Sequence, residues 1–424
     1  MLFRSFIVGG FECATGYNAR GDWIDQIAAT HHDQHADADY ARLAQVGIFA
    51  AREAIRWPLV DRGGGRYDFS SVDPFVTAAR GHGVEVIWDL FHYGYPPGLD
   101  LFGEEFPARF ADYCAAAARY VAARTEGRCF FTPVNEPSFF AWAAGEVGRF
   151  APHRRGCAFE LKVALARAAL RGIDAIRRVV PQARIVNVDP LCHVAPPPDR
   201  PDLAEAVRHF NERAVWESFD IIAGRFMPEL GGSRAHLDIV GLNYYWTNQW
   251  ELGRDEQPLA DDDPRRVPLS DLIVSVWERY GGAECVSLGG TDLASPGADR
   301  ASGGGGDACT SAGGGDILLT ETAHVDDTRP RWLAHIVAEA EKILARGIPL
   351  RGVCLYPILG MPEWHAPEEW VNMGLWDLRP CEKRGLTREL CTPMLPALED
   401  ALCLGERYWP APTARPPLRT GSLD

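Results

Sequence analysis

The chain has no CxxC pair and no regular spacing among its 11 cysteines, which lie scattered through apolar segments, as at Cys114, Cys129, Cys192 and Cys354. A structural zinc site needs paired ligands at short spacing, so that class is excluded and the cysteines read as buried thiols of a cytoplasmic protein. The one dense histidine group, His31, His32 and His35, sits in a polar stretch beside Asp33 and reads as a solvated loop and helix start. No stretch approaches the ~20 apolar residues of a membrane span. The opening MLFRSFIVGGFEC has too brief an apolar run for a signal peptide and lacks its small-residue cleavage site. Positive charge is also short, with 43 Lys and Arg against 58 Asp and Glu and a formal net charge of -15. Nucleic acid and anionic membrane both need clustered positive charge, so neither is an expected partner and a neutral or small ligand is. With no metal-ligand cluster and no GxGxxG turn, no metal or nicotinamide cofactor is expected.

What is present is apolar material in quantity: 46% of 424 residues, enough for a large single core. Short β-branched or aromatic runs bounded by turn residues predict strands at 6–11, 47–57, 84–90, 129–135, 184–189, 237–244, 316–322 and 352–359. Between them, apolar residues recur at three or four over 106–124, 160–179, 204–224, 269–280 and 330–346, the period of a helix. Strands apolar on both faces that alternate with helices call for a parallel sheet, and eight repeats close it. The expected fold is α/β, a (β/α)8 TIM barrel in one domain over 1–405. A Gly-rich segment at about 281–315, with Gly303 to Gly306 and Gly313 to Gly315, reads as a mobile insertion or an active-site lid, and 406–424 as a C-terminal tail loose from Pro410 onward.

In such a barrel the site lies at the C-terminal ends of the strands. Polar residues gather there: Arg52 and Glu53, Asp89 and His92, Asn135 and Glu136, Asn187 and Asp189, Asn243 and Tyr245, Thr320 and Glu321, and Glu363 with Trp364 and His365. Cleaving a glycosidic bond needs an acid at the leaving oxygen and a second carboxylate on the sugar's other face. A lone Glu after a strand is as readily a helix cap or a surface charge; Glu136 and Glu321 together, after strands four and seven, point to catalysis. Arg52 is expected to hold the nucleophile ionised, Tyr245 to donate to it, and His92 and Asn135 to bind sugar hydroxyls. Trp88, Trp142, Trp246 and Trp364 each offer either core packing or a flat face for a sugar ring.

The run Thr132-Pro-Val-Asn-Glu-Pro137 resembles the strand-four motif of family 1 glycoside hydrolases, the β-glucosidase type of barrel with catalytic glutamates on strands four and seven. Gly-Leu-Asn243-Tyr-Tyr245, Leu-Leu-Thr-Glu321-Thr and Ala-Arg52-Glu-Ala-Ile-Arg-Trp57-Pro resemble its strand-six, nucleophile and arginine segments. The order and spacing run from residue 6 to about 378. The resemblance implies a retaining β-glycosidase with Glu136 as general acid/base and Glu321 as nucleophile, a small glycoside or oligosaccharide as substrate, and no cofactor. It further implies sugar binding by His92, Glu363 and Trp364. Other specificities, for a β-galactoside or β-mannoside or for transglycosylation, stay open, as does a non-catalytic sugar-binding barrel. There are departures. The family's first-strand glutamine is replaced near Gly16-Tyr17-Asn18, with Asn18 or Glu12 expected to take over part of its role. Tyr356 stands for a strand-eight tryptophan, and Thr322-Ala323 follows the nucleophile where glycine is common. The strand-eight loop, with Glu363, Glu368 and Glu369, is acidic and would repel a sugar phosphate.

Overall fold

Strands that are apolar on both faces need cover on both, and the chain supplies it by closing its sheet and ringing it with helices. The computed structural model of the chain describes residues 2–254, 257–281, 315–381 and 385–409. All eight expected strands form: β1 Ile7–Gly10, β2 Ala50–Ala54, β3 Glu85–Asp89, β4 Phe130–Thr132, β5 Arg184–Pro190, β6 Ile239–Asn243, β7 Asp316–Thr322 and β8 Leu350–Leu355. They close into a barrel in the order β1-β8-β7-β6-β5-β4-β3-β2, each parallel to both neighbours. Every residue of β1, β2, β4 and β6 is buried.

Around the barrel run α1 His32–Gln45, α2 Asp73–His82, α3 Glu105–Ala122, α4 Ala158–Val179, α5 Ala204–Glu212, α6 Glu217–Ile222, α7 Leu269–Tyr280, α8 Arg329–Ala345 and α9 Leu395–Tyr408. The helix expected over 204–224 is broken in two. Its turn of helix is lost at Arg213 (φ -132°, ψ -63°), where Asn211 is drawn off to the backbone of Val194 and its own carbonyl accepts from Trp216 Nε1. The boundary expected at 405 also moves. α9 continues to Tyr408, and Trp409 donates to the Leu350 carbonyl from under the Arg351 guanidinium, so the barrel holds the chain to at least that point. α9 comes this close to β1 because Gly405 has no side chain; a Cβ there would lie 2.2 Å from Phe6. The insertion expected at 281–315 and the tail from 410 lie outside the described residues, apart from the edges Gly281 and Gly315. Among the described residues, no helix is long and apolar enough to cross a membrane.

The histidine group needs correction. His32 does open α1, but it is buried, not solvated. Its ring stacks between Phe11 at 3.7 Å and Phe75 at 5.1 Å, and its nitrogens meet Asp39 at 2.9 Å and Glu53 at 2.8 Å. The cause is Glu53, which β2 turns away from the barrel axis into the layer under α1, where a buried carboxylate must find a partner.

Candidate active site

Two local irregularities deliver the two glutamates. On β7 the register shifts against both neighbouring strands around Thr320; Leu319 pairs with Leu242, yet Glu321 rather than Thr320 pairs with Asn243. The extra residue re-aims the strand end, as bulges beside active sites do. On the other side, β4 ends at Thr132 and the chain rejoins the sheet at Asn135, which bridges to Val188. Pro137 then opens a short helix, Pro137–Phe140, and disfavours the right-handed helical region for the residue before it. Glu136 takes the left-handed region instead, φ 45° and ψ 60°, a conformation costing about 1–3 kcal/mol that surrounding contacts must hold. Its amide donates to the Val188 carbonyl at 3.1 Å, and Ser138 anchors the helix start to Asp189 through both its amide and its hydroxyl.

Arg52 ties the pair together. Its Nε and Nη2 donate to the two oxygens of Asp89 at 3.1 and 2.7 Å, its Nη2 also to Asn135 Oδ1 at 2.6 Å, and its Nη1 to Glu321 Oε1 at 2.5 Å. Tyr245 donates to the other oxygen of Glu321 at 2.7 Å. Glu136 accepts from the Tyr93 hydroxyl at 2.6 Å, and that hydroxyl accepts in turn from Asn135 Nδ2 at 3.3 Å. Burial holds the phenols of Tyr93 and Tyr245 far above the usual tyrosine range, so both are donors.

Burial pushes both glutamates up, Glu136 to about 7 and Glu321 to about 8. Taken one at a time, these values would put a proton on Glu321. The donors point the other way: a permanent cation at 2.5 Å and a phenol at 2.7 Å both serve an anion on Glu321, whereas Glu136, among the described residues, has only the neutral donors Tyr93 and Asn243. Like charges confined together cannot both ionise freely, and the donors favour the charge on Glu321 over Glu136.

Exposure sorts the remaining residues. Glu12, His92, Glu136 and Glu321 keep 4–7% of their surface, whereas Arg52, Asp89, Asn135 and Asn243 keep none. The first four are open to a ligand and the second four brace them. Asn135, expected on a sugar hydroxyl, spends its amide on Arg52, His92 and Tyr93. Asn243 accepts from Thr320 at 2.7 Å. His92 meets Asp89 at 3.0 Å through Nδ1. Tyr356 lies under the Arg52 guanidinium, 5.1 Å from ring centroid to carbon, with its hydroxyl 3.3 Å from Cys13. Glu363 accepts from the amides of His365 and Ala366, which rigidifies its own loop, and Trp364 packs edge-on against Tyr93 with its buried Nε1 unpartnered among the described residues.

Of the two replacements expected for the first-strand glutamine, Asn18 is committed to the Trp364 carbonyl and to the amides of Arg20 and Asp22, while Glu12 lies 4.0 Å from His92. Trp88 is core, and Trp246 stacks on His324. Sequence reasoning passed over Tyr93, and it gave Asp89 no task. The signal for both was their position at the end of β3, flanking His92.

Among the described residues one group has a metal-like arrangement, Cys13, Asp89 and His92, with ligand atoms within 4.8 Å of one another. Both Asp89 oxygens already accept from Arg52, whose fixed positive charge opposes a second cation there. A hollow of about 560 Å³ lies between α7 and α8, reaching Tyr244 and His324 just past the ends of β6 and β7 but lined by neither Glu136 nor Glu321. Two pairs of its flanking charges meet each other, Arg331 with Asp261 and Lys342 with Glu339.

No family model matches the chain. β-Glucosidase A of Thermotoga maritima is 22% identical over 393 residues, covering 84% of this chain and 83% of that protein. Among solved structures, a family 1 β-glucosidase from Thermotoga maritima superposes with a TM-score of 0.68 at 16% identity, over 94% of this chain and 98% of that one. The Thermotoga maritima β-glucosidase in complex with cyclophellitol gives 0.68 at 17% identity over 95% and 98%. The chain therefore has the family 1 β-glucosidase-like fold, a (β/α)8 barrel that takes in nearly its whole length.

Proposed function

We propose that this protein is a retaining β-glycosidase of the β-glucosidase type. One observation carries the reading: two buried glutamates in one hydrogen-bonded network, Glu321 held by the Arg52 cation and Tyr245, and Glu136 by the neutral donors Tyr93 and Asn243. That asymmetry gives one carboxylate and one carboxylic acid, the division of labour that double displacement needs. Glu136 protonates the leaving oxygen as the bond from it to the anomeric carbon breaks and Glu321 bonds to that carbon. Glu136, now ionised, takes a proton from the water that displaces Glu321, and both residues return to their starting states. The relatives' names as β-glucosidases support the same reading, as do the sugar-like inhibitors bound to that Thermotoga maritima enzyme. A small glycoside is the substrate class. The described cysteines are all free, in keeping with a reducing, cytoplasmic setting. Residues 281–315 we take as an insertion into one barrel, from their composition alone.

The test is turnover of an aryl β-glycoside. Glu321→Ala and Glu136→Gln are expected to keep the wild-type circular dichroism spectrum and lose about 10⁴-fold or more in kcat, the scale seen when one member of a concerted catalytic group is removed. Wild-type turnover by either variant would refute the assignment.

A further inference from the structure

The hydrolase reading leaves one buried acid without a task. Glu12 follows β1 by two residues at the C-terminal mouth of the barrel, beside His92, and keeps 6% of its surface. Its Oε1 accepts from the Ala14 amide at 2.8 Å, and among the described residues no side chain hydrogen-bonds to it. The cluster around it holds three more carboxyls, Asp89, Glu136 and Glu321, against the single guanidinium of Arg52. That guanidinium is already divided among Asp89, Glu321 and Asn135. His92 lies 4.0 Å away, but its Nε2 accepts from Asn135 Nδ2, so among the described residues no cation is hydrogen-bonded to Glu12.

We propose that Glu12 makes this pocket selective for a glycoside whose sugar ring carries a protonated amino group. Rings that present hydroxyls alone are served as well by an amide, which satisfies the same donors and acceptors without burying a charge. A carboxylate at low exposure that has backbone amides but no cation for partners is costly until a cation arrives, and an ammonium supplies the charge together with up to three N–H donors. Burial pushes Glu12 up to about 7, as expected of an acid whose counter-ion is missing. The inference rests on the hydrolase reading for the chemistry, but its binding half does not.

The experiment compares 4-nitrophenyl β-D-glucopyranoside with its analogues in which one ring hydroxyl is replaced by an amine, and with the N-acetylated form of each amine, which has the bulk but no charge. For the wild-type protein, one amine is expected to give a higher kcat/KM than both the parent and its own N-acetyl form. In Glu12→Gln, a near-isosteric change, the amine-to-hydroxyl ratio of kcat/KM is expected to fall about 10- to 100-fold, the range for loss of a charged hydrogen bond. A wild-type protein that favours the hydroxyl at every position, or a ratio unmoved by Glu12→Gln, would overturn the inference. Should nothing be turned over and no glycosyl adduct form on Glu321, the hydrolase reading itself fails. Calorimetric titration of the wild-type protein with the free amino sugars against glucose then decides the selectivity, with equal or weaker binding of every amine as the contrary result.

Discussion

Arg52 and Glu53 are neighbours on β2, both fully buried, and they face opposite sides of the barrel wall into two different clusters of charge. Outward, Glu53 and Asp39 meet His32, Arg42 and Arg388, with N–O distances of 2.8–3.1 Å. Burial acts against the His32 proton, but the two carboxylates win and raise it to about 9. Three cations therefore answer two anions, and none of His32, Asp39 or Glu53 keeps more than 1% of its surface. Inward, among the described residues, one guanidinium, Arg52, and the His92 ring, which meets Asp89 at 3.0 Å, face four carboxyls, and three of those, Glu12, Glu136 and Glu321, keep 4–7%. Both clusters shift pKa values, so a shifted pKa does not by itself mark a site. Cation supply and access tell them apart: the cation-rich, sealed cluster lies within the fold, and the acid-rich one keeps partly exposed carboxyls.

Breaking each cluster in turn gives different losses. Arg52→Met is expected to lower kcat on an aryl glycoside by about 1,000-fold, the scale for removing one preorganised donor to a developing charge. Because Asp89 and Glu321 can take up protons when their cation goes, the variant should stay folded. On the other face, His32→Ala leaves Asp39 and Glu53 buried with fewer cations, and urea denaturation should show about 3–5 kcal/mol of lost stability. Its kcat, measured where the protein is still folded, should be that of wild type. A stable His32→Ala or an unfolded Arg52→Met would erase the distinction.

Tyr245→Phe is a finer cut, removing one of the two donors to Glu321 and leaving Arg52 in place. Loss of a hydrogen bond to a charged group is worth about 10- to 100-fold in kcat. The smallest effects are those of pH. Glu136 must hold its proton to act as acid, so kcat/KM should fall as pH rises through about 7. With a leaving group that needs no acid, Glu136→Ala should lose that limb. His32 is raised in the folded state, so its stabilisation is complete below about 6.5 and is lost as pH rises through about 9. Denaturation at pH 6 and pH 9.5 should differ in wild type by an amount that His32→Ala reduces.

Much of the barrel was legible in the sequence because a strand buried on both faces is a local pattern, and eight of them recur with helices between. Glu136 and Glu321 were legible for a related reason, standing in short motifs at strand ends. What joins them was not: Arg52 reaches Glu321 across 269 residues, and the shift at Thr320 that aims Glu321 shows only in the pairing of β7 with its neighbours. His32 looked solvated because Asp33, Gln34 and His35 surround it in sequence, whereas its real surroundings are Phe11, Phe75 and Glu53. Tyr93 showed only by its place beside His92 past the end of β3; its φ of 73° sets it outside any strand or helix period.

The central claim is that Glu321 is the ionised nucleophile and Glu136 the acid. Incubating the protein with a 2-deoxy-2-fluoro aryl β-glycoside, which slows the second step more than an activated first step, and sequencing its peptides by mass spectrometry tests this directly. The account predicts a fluoroglycosyl mass on Glu321; a protein that stays unlabelled, or carries the label on Glu136 or Glu12, would contradict it.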